Sequence, residues 1–154
     1  LTYAIEKRAN IINMSLSGPS DRLLASLIGI GISRGLSVVA AVDESRSDNG
    51  FPASVAGVIP VANERLSAAR SGVYIAPGLD VPTTEPGGKW ELVNGSSYAA
   101  AHVSGLLALL RQKAHSSGGR GPASTALGRA GMIDACAILA RASYLAEGGC
   151  KAGN

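Results

Sequence analysis

Two short apolar runs rich in β-branched residues, NIINMSLS (Asn10 to Ser17) and SVVAAV (Ser37 to Val42), flank an amphipathic stretch. That order constrains the fold more than any other feature of the chain. Strands joined by a helix-length crossover pair in parallel, and a parallel sheet needs helices over its faces. The Gly18-Pro19 pair stops the first run. Ser20 is placed to cap a helix running to about Arg34, with Leu23, Leu24, Leu27 and Ile28 on one face. Gly35 suits the left-handed residue that ends such a helix. GVIPVA and SGVYIA supply two more short strands, and residues 1–9 read as the end of a helix. The expectation is an α/β fold built on a parallel sheet.

Beyond these strands the pattern changes. Residues 43–54 carry turn signals throughout. Residues 80–93 hold Pro82, Pro86 and the Gly87-Gly88 pair and read as a loop or ribbon. Ala100, Val103, Leu106, Leu107 and Leu110 recur at helical spacing in a helix from Ser96 to about Gln112. A connector is expected over 115–124, a last helix from Gly131 to Ala146, and a flexible tail over 147–154. With 154 residues, 20 of them glycine, the chain fits one tightly packed domain.

The net charge of +3 comes from scattered residues, with no basic run and no interleaved aromatics, which argues against nucleic-acid binding. The longest apolar stretch, Leu23 to Ser33, is interrupted by Gly29 and Gly31 and is too short to span a bilayer. Leu1 opens directly into helix pattern, so no export leader is expected within these residues. The two cysteines, Cys136 and Cys150, fit neither a disulfide scaffold nor a zinc site. One late disulfide and two separate thiols remain equal readings.

The chemistry concentrates in NGSSYAAAHVSG, Asn94 to Gly105. Ser97 enters a helix where backbone N–H groups are unpaired and the dipole favours negative charge. Small neighbours, Gly95, Ala99 and Ala100, leave room for a substrate. A lone serine at such a place is ordinarily a helix cap. As a nucleophile it needs a base within hydrogen-bond reach.

Several blocks together resemble the subtilisin-like serine peptidases. NGSSYAAAHVSGLLALL is similar to their serine-bearing motif, and INMSLSGP to their substrate-binding strand. GLSVVAAVDES, GFPASVAGVIPVA, VYIAPGLDV and GMIDACAIL resemble further segments, in the family's order, across nearly all of residues 1–146. The resemblance implies a partial subtilisin-like fold, a three-layer α/β/α arrangement forming the C-terminal half of a catalytic domain over residues 1–146. It implies Ser97 as nucleophile and its own N–H as one oxyanion donor. Asp43 stands at the second oxyanion-hole position, where the family usually has Asn. Ser15, Leu16 and Ser17 would run along an extended peptide. Ala40, Ala41 and Val42, with Gly50 and Phe51, would line the pocket for the residue before the scissile bond, beside Ser96. Pro52 matches a position that often follows a cis peptide bond.

The family's Asp-Thr/Ser-Gly and His-Gly-Thr motifs, which carry the orienting acid and the base, are not in these residues. His102, five residues after Ser97, points ~140° away around a helix and reads as structural. His115, Lys89 and Lys113 are poor candidates for a base. The chain alone is therefore expected to be inactive, with a missing N-terminal half or a second chain pairing at the edge of the Asn10 to Ser17 strand. A non-catalytic relative that binds peptides is the alternative. Asp43 replaces an amide donor by a carboxylate, which donates only when protonated, so any activity is expected to rise toward mildly acidic pH. Val42 should narrow the pocket, and Tyr98 replaces the usual Met. Family members often bind calcium, but Asp43, Glu44 and Asp48 read as a solvated turn, since calcium takes six or more oxygens; no cofactor or metal is expected. The resemblance implies a secreted or cell-envelope protein.

Overall fold

The computed structural model describes residues 1–66, 70–116 and 127–142. Five strands form one parallel sheet in the order β1 (Ile11–Met14), β2 (Ser37–Ala41), β3 (Ile59–Ala62), β4 (Tyr74–Ile75), β7 (Gly131–Met132). Helices α1 (Thr2–Glu6) and α2 (Arg22–Ser33) cover one face; α3 (Ser96–Ser116) and α4 (Ala135–Arg141) cover the other. The three layers are visible in the alternation along β2. Val39 and Ala41 join the core under α3, while Val38, Ala40 and, just past the strand, Val42 join the core under α2. Every β2 residue is buried, as an interior parallel strand requires.

Pro60 sits inside β3, a position normally closed to proline. Val61 O accepts from Val42 N, so the missing N–H of Pro60 faces the other neighbour, β4, whose ladder begins only at Val61. No ladder bond is lost. β1 is an edge strand; among the described residues only β2 pairs with it.

The helices follow the sequence with local corrections. Asp21, not Ser20, caps α2, its carboxylate accepting from Leu24 N at 2.8 Å. Ile28 is the anchor of α2, fully buried, whereas Leu23 is 71% exposed and outside the expected face. Gly35 ends α2 at φ 86°. All five expected apolar residues of α3 are buried against the sheet. That helix runs on to Ser116, so the expected connector does not begin at His115. β1 stops at Met14, leaving Ser15, Leu16 and Ser17 beyond the strand. Gly131–Met132, expected to start the last helix, is instead the edge strand β7, and Asp134 caps α4 through Ala137 N at 2.9 Å. Residues 80–93 resolve as a ribbon, the antiparallel hairpin of β5 (Val81–Glu85) and β6 (Lys89–Val93). The expected tail, most of the connector and Cys150 lie outside the described residues.

Candidate active site

The C-terminal ends of β1 and β2 meet the start of α3. There Leu16, Ser17, Ala41, Val42, Asp43, Glu44, Ser45, Ser96 and Ser97 line a cavity of about 280 Å³. Seven of these were expected at the site from the sequence; Glu44 and Ser45 are additional. The segment after β1 is tied to the serine reciprocally. Ser15 Oγ donates to Ser97 O at 2.9 Å, and Ser97 Oγ donates to Ser15 O at 3.4 Å. Asn13 Nδ2 donates to Ser15 Oγ at 3.0 Å, which orients that hydroxyl. The 3.4 Å bond is long for an O–H donor, so the Ser97 hydroxyl is only loosely held.

The remaining expected residues sit behind the wall. Ala40 is fully buried in the core under α2. Phe51 is buried and its carbonyl accepts from Gly18 N, an antiparallel bridge that holds the 43–54 loop against the end of β1. Gly50 is required by contact. Its φ is 71°, and a Cβ there would stand 2.7 Å from Asp43 Cβ. The peptide bond between Phe51 and Pro52 is cis, as the resemblance implied.

Ser96 is the anchor of the site. It is buried, its Oγ donates to Glu44 Oε1 at 2.6 Å, and it accepts from Asn63 N at 3.2 Å. Asn63, also buried, donates its amide to the same Glu44 oxygen at 2.9 Å. The start of α3, the end of β3 and the loop after β2 are thereby locked together. Neither partner was singled out by sequence. Glu44 read as an acid of a solvated turn, and Asn63 follows an apolar strand with nothing to mark it.

Asp43 is held as a carboxylate. Its Oδ1 accepts from Ser45 Oγ at 2.6 Å and Ser45 N at 3.1 Å, and these bonds lower its pKa below 3.8. Asp43 therefore stays ionised from pH 5.5 to 7, which corrects the expectation that protonation makes it a donor in that range. Its backbone N–H is committed to Asn49 O at 2.9 Å. Asp48 forms the ion pair with Arg46 at 2.9 Å that lowers its pKa to about 2. Among the described residues no group of three His, Cys, Asp or Glu is placed to hold a metal.

His102 does not serve Ser97: its Nδ1 donates to Pro77 O at 2.8 Å. His115, 18 positions further along α3 than Ser97, is ~27 Å away along the helix axis.

Residues 1–130 match the family model described as the subtilase family. Subtilisin of Bacillus pumilus is 35% identical, over 73% of this chain and 46% of its own length. An intracellular serine protease of Paenibacillus polymyxa is 36% identical, over 75% of this chain and 40% of its own. The chain thus spans less than half the length of these curated relatives. Among solved structures, the self-cleaved protease domain of PatA superposes with a TM-score of 0.78 at 22% identity, covering 92% of this chain and 65% of that one; at this identity the likeness is one of fold. The prenylagaramide maturation protease PagA gives a TM-score of 0.70 at 25% identity, covering 82% and 53%. The family match runs through the segment after β1, the Asp43 loop and the start of α3, the three elements that meet at the cavity, and on that ground the chain belongs to the subtilase family.

Proposed function

We propose that this chain is the C-terminal part of a peptide-bond-hydrolysing catalytic domain, with Ser97 as its nucleophile. The observation that carries the reading is the seating of Ser97, loosely bonded on the wall of an open cavity and beside an exposed segment, Ser15 to Ser17. An extended peptide would lie along that segment through main-chain hydrogen bonds, with a side chain in the cavity against Ala41 and Val42. Ser97 Oγ would attack the scissile carbonyl. The N–H groups of the first turn of α3 would face the developing oxyanion. Ser96, fixed by Glu44 and Asn63, would keep that turn in register.

With His102 committed to Pro77 and His115 remote, the base and its orienting acid would come from outside these 154 residues, from an N-terminal segment or a second chain paired at the β1 edge. The chain alone would then be inactive. Cys136 is in a disulfide, which supports an oxidising, extracellular or envelope setting. No helix among the described residues is long and apolar enough to cross a membrane.

Asp43 favours a second reading, a non-catalytic module that keeps the groove to bind peptides. Its ionised carboxylate lies on the cavity wall and repels an oxyanion. Two measurements decide. Coding DNA upstream of Leu1 should carry in-frame Asp-Thr/Ser-Gly and His-Gly-Thr motifs. The product of the whole reading frame should react with a fluorophosphonate at Ser97, and Ser97→Ala should abolish the label. A folded product that binds peptide but takes no label would make the binding module the function.

A further inference from the structure

A second concave site lies at the other end of the sheet and has no part in the chemistry above. It is a cavity of about 540 Å³ where the C-termini of α1 and α2 converge with α3, lined by Arg8, Arg34 and Arg111 among others. Asn10 and Leu36, just before β1 and β2, also line it, whereas Ser97's cavity lies past the strands' far ends. Roughly 17 Å of strand separates the two.

We propose that this cavity binds a phosphate monoester. Three guanidiniums against one carboxylate, Glu6, leave two net positive charges on the lining, matched to a dianion. Arg111 is already positioned, its Nη1 donating to Asn10 O at 3.4 Å and Gly35 O at 3.3 Å; this covers carbonyls that would otherwise repel an anion. Arg8 and Arg34 have no hydrogen-bonded partner for their side chains among the described residues, and none of the three arginines is ion-paired there. Guanidinium forks facing one space suit the oxygens of a phosphate. The volume exceeds what a free ion needs, leaving room for the skeleton that carries the phosphate.

The backbone supplies an independent argument. Both helices end on a left-handed residue with the same pair of hydrogen bonds. In α2 that residue is glycine, Gly35 at φ 86°, with Gly35 N to Ile32 O and Leu36 N to Gly31 O. In α1 it is Arg8 at φ 55°, with Arg8 N to Ile5 O and Ala9 N to Ala4 O. Glycine is the low-strain choice at such a position. An arginine held there carries a backbone cost that its unpaired side chain does not offset within the fold, which is how strain marks a binding position.

The test uses thermal unfolding of the chain in inorganic phosphate and in glycerol phosphate, each against sodium chloride at equal ionic strength. The expected result is a saturable rise in Tm with both phosphates. Arg8→Gly should raise Tm without phosphate and weaken the phosphate response on the order of tenfold. Arg34→Ala should weaken it similarly, and Arg22→Ala, outside the cavity, should leave it unchanged. Three results would overturn the proposal: no phosphate-specific rise, an undiminished rise in Arg8→Gly, or a lower Tm for Arg8→Gly without phosphate. The last would mean the Arg8 side chain serves the fold.

Discussion

Gly78→Ala is the substitution whose outcome the structure determines most narrowly. Gly78 lies where the segment after β4 passes the start of α3. Its carbonyl accepts from Gly95 N at 2.8 Å, and its N–H donates to Glu64 Oε2 at 2.9 Å. A Cβ at this position would stand 2.7 Å from Asn63 Cβ, 2.8 Å from Gly95 O and 3.2 Å from Ala99 Cβ. Normal carbon contacts begin near ~3.5 Å, so the first of these overlaps by roughly 0.8 Å. None of the three atoms sits at the end of a side chain that can swing away. The neighbours must therefore move as backbone, and the expected cost is about 1–3 kcal/mol of overpacking. The moving atoms belong to Asn63, whose N–H donates to Ser96, and to Gly95, which precedes Ser96 in the chain, so a displacement of even ~1 Å passed on to Ser97 would cost up to ~100-fold in reaction rate at the serine. Urea denaturation measures the first effect, and fluorophosphonate labelling of the whole reading frame's product measures the second. Gly29→Ala is the control: it sits mid-helix in α2 with nothing within 4 Å of the added carbon. It should stabilise by about 0.5–1 kcal/mol through helix propensity. A Gly78→Ala protein within ~0.5 kcal/mol of the parent, the ordinary spread of neutral surface changes, would refute the close packing inferred around Asn63 and Gly95.

Ser96→Ala leaves Asn63 N–H without its acceptor and Glu44 without one of its two side-chain donors; it should cost about 1–3 kcal/mol in the same denaturation assay, and an unchanged midpoint would sink the anchoring role. Asp48 should titrate at about 2 when followed by carboxyl NMR. Because its folded pKa is depressed, its contribution to stability is present above the unfolded value of 3.8 and fades as pH falls toward 2; a midpoint near 3.8 would show that the Arg46 pair does not persist in solution. Asp43 has the same sign of shift, so the labelling rate at Ser97 should show no rise from its protonation between pH 7 and 5.5. A rise over that range that disappears in Asp43→Asn would contradict the Ser45 hydrogen bonds.

Much of the fold was written in local pattern. The runs Asn10 to Ser17 and Ser37 to Val42, with an amphipathic stretch between them, admit few arrangements besides a right-handed parallel crossover. The stripe Ala100, Val103, Leu106, Leu107, Leu110 could only be the buried face of a helix. The serine-bearing segment was equally legible, since family likeness rests on residue order, and order is what a sequence displays. Local signals misled where two adjacent choices compete. Ser20 and Asp21 are both capping residues, and only the path of the chain after Pro19 selects Asp21. Gly131–Met132 carries helix-compatible residues, yet the open edge of β4 offers backbone hydrogen bonds that a helix start would forgo.

Tertiary structure decided what depends on residues distant in sequence. Glu44, Asn63 and Ser96 are 52 positions apart at the extremes, and no spacing rule connects them; the sheet brings them together because its strands run parallel and end on one side. The charge state of Asp43 was likewise undetermined by its identity, since Ser45's two hydrogen bonds fix it. The arginine-lined cavity belongs to the same class: Arg8 and Arg34 follow the ends of α1 and α2, Arg111 lies on α3, and the three meet only at the opposite end of the sheet. Sequence by itself determined the elements and the family, because backbone propensity and apolar periodicity act over a few residues. The structure decided the networks and cavities, because hydrogen bonds and charges act through space, across contacts that chain order does not encode.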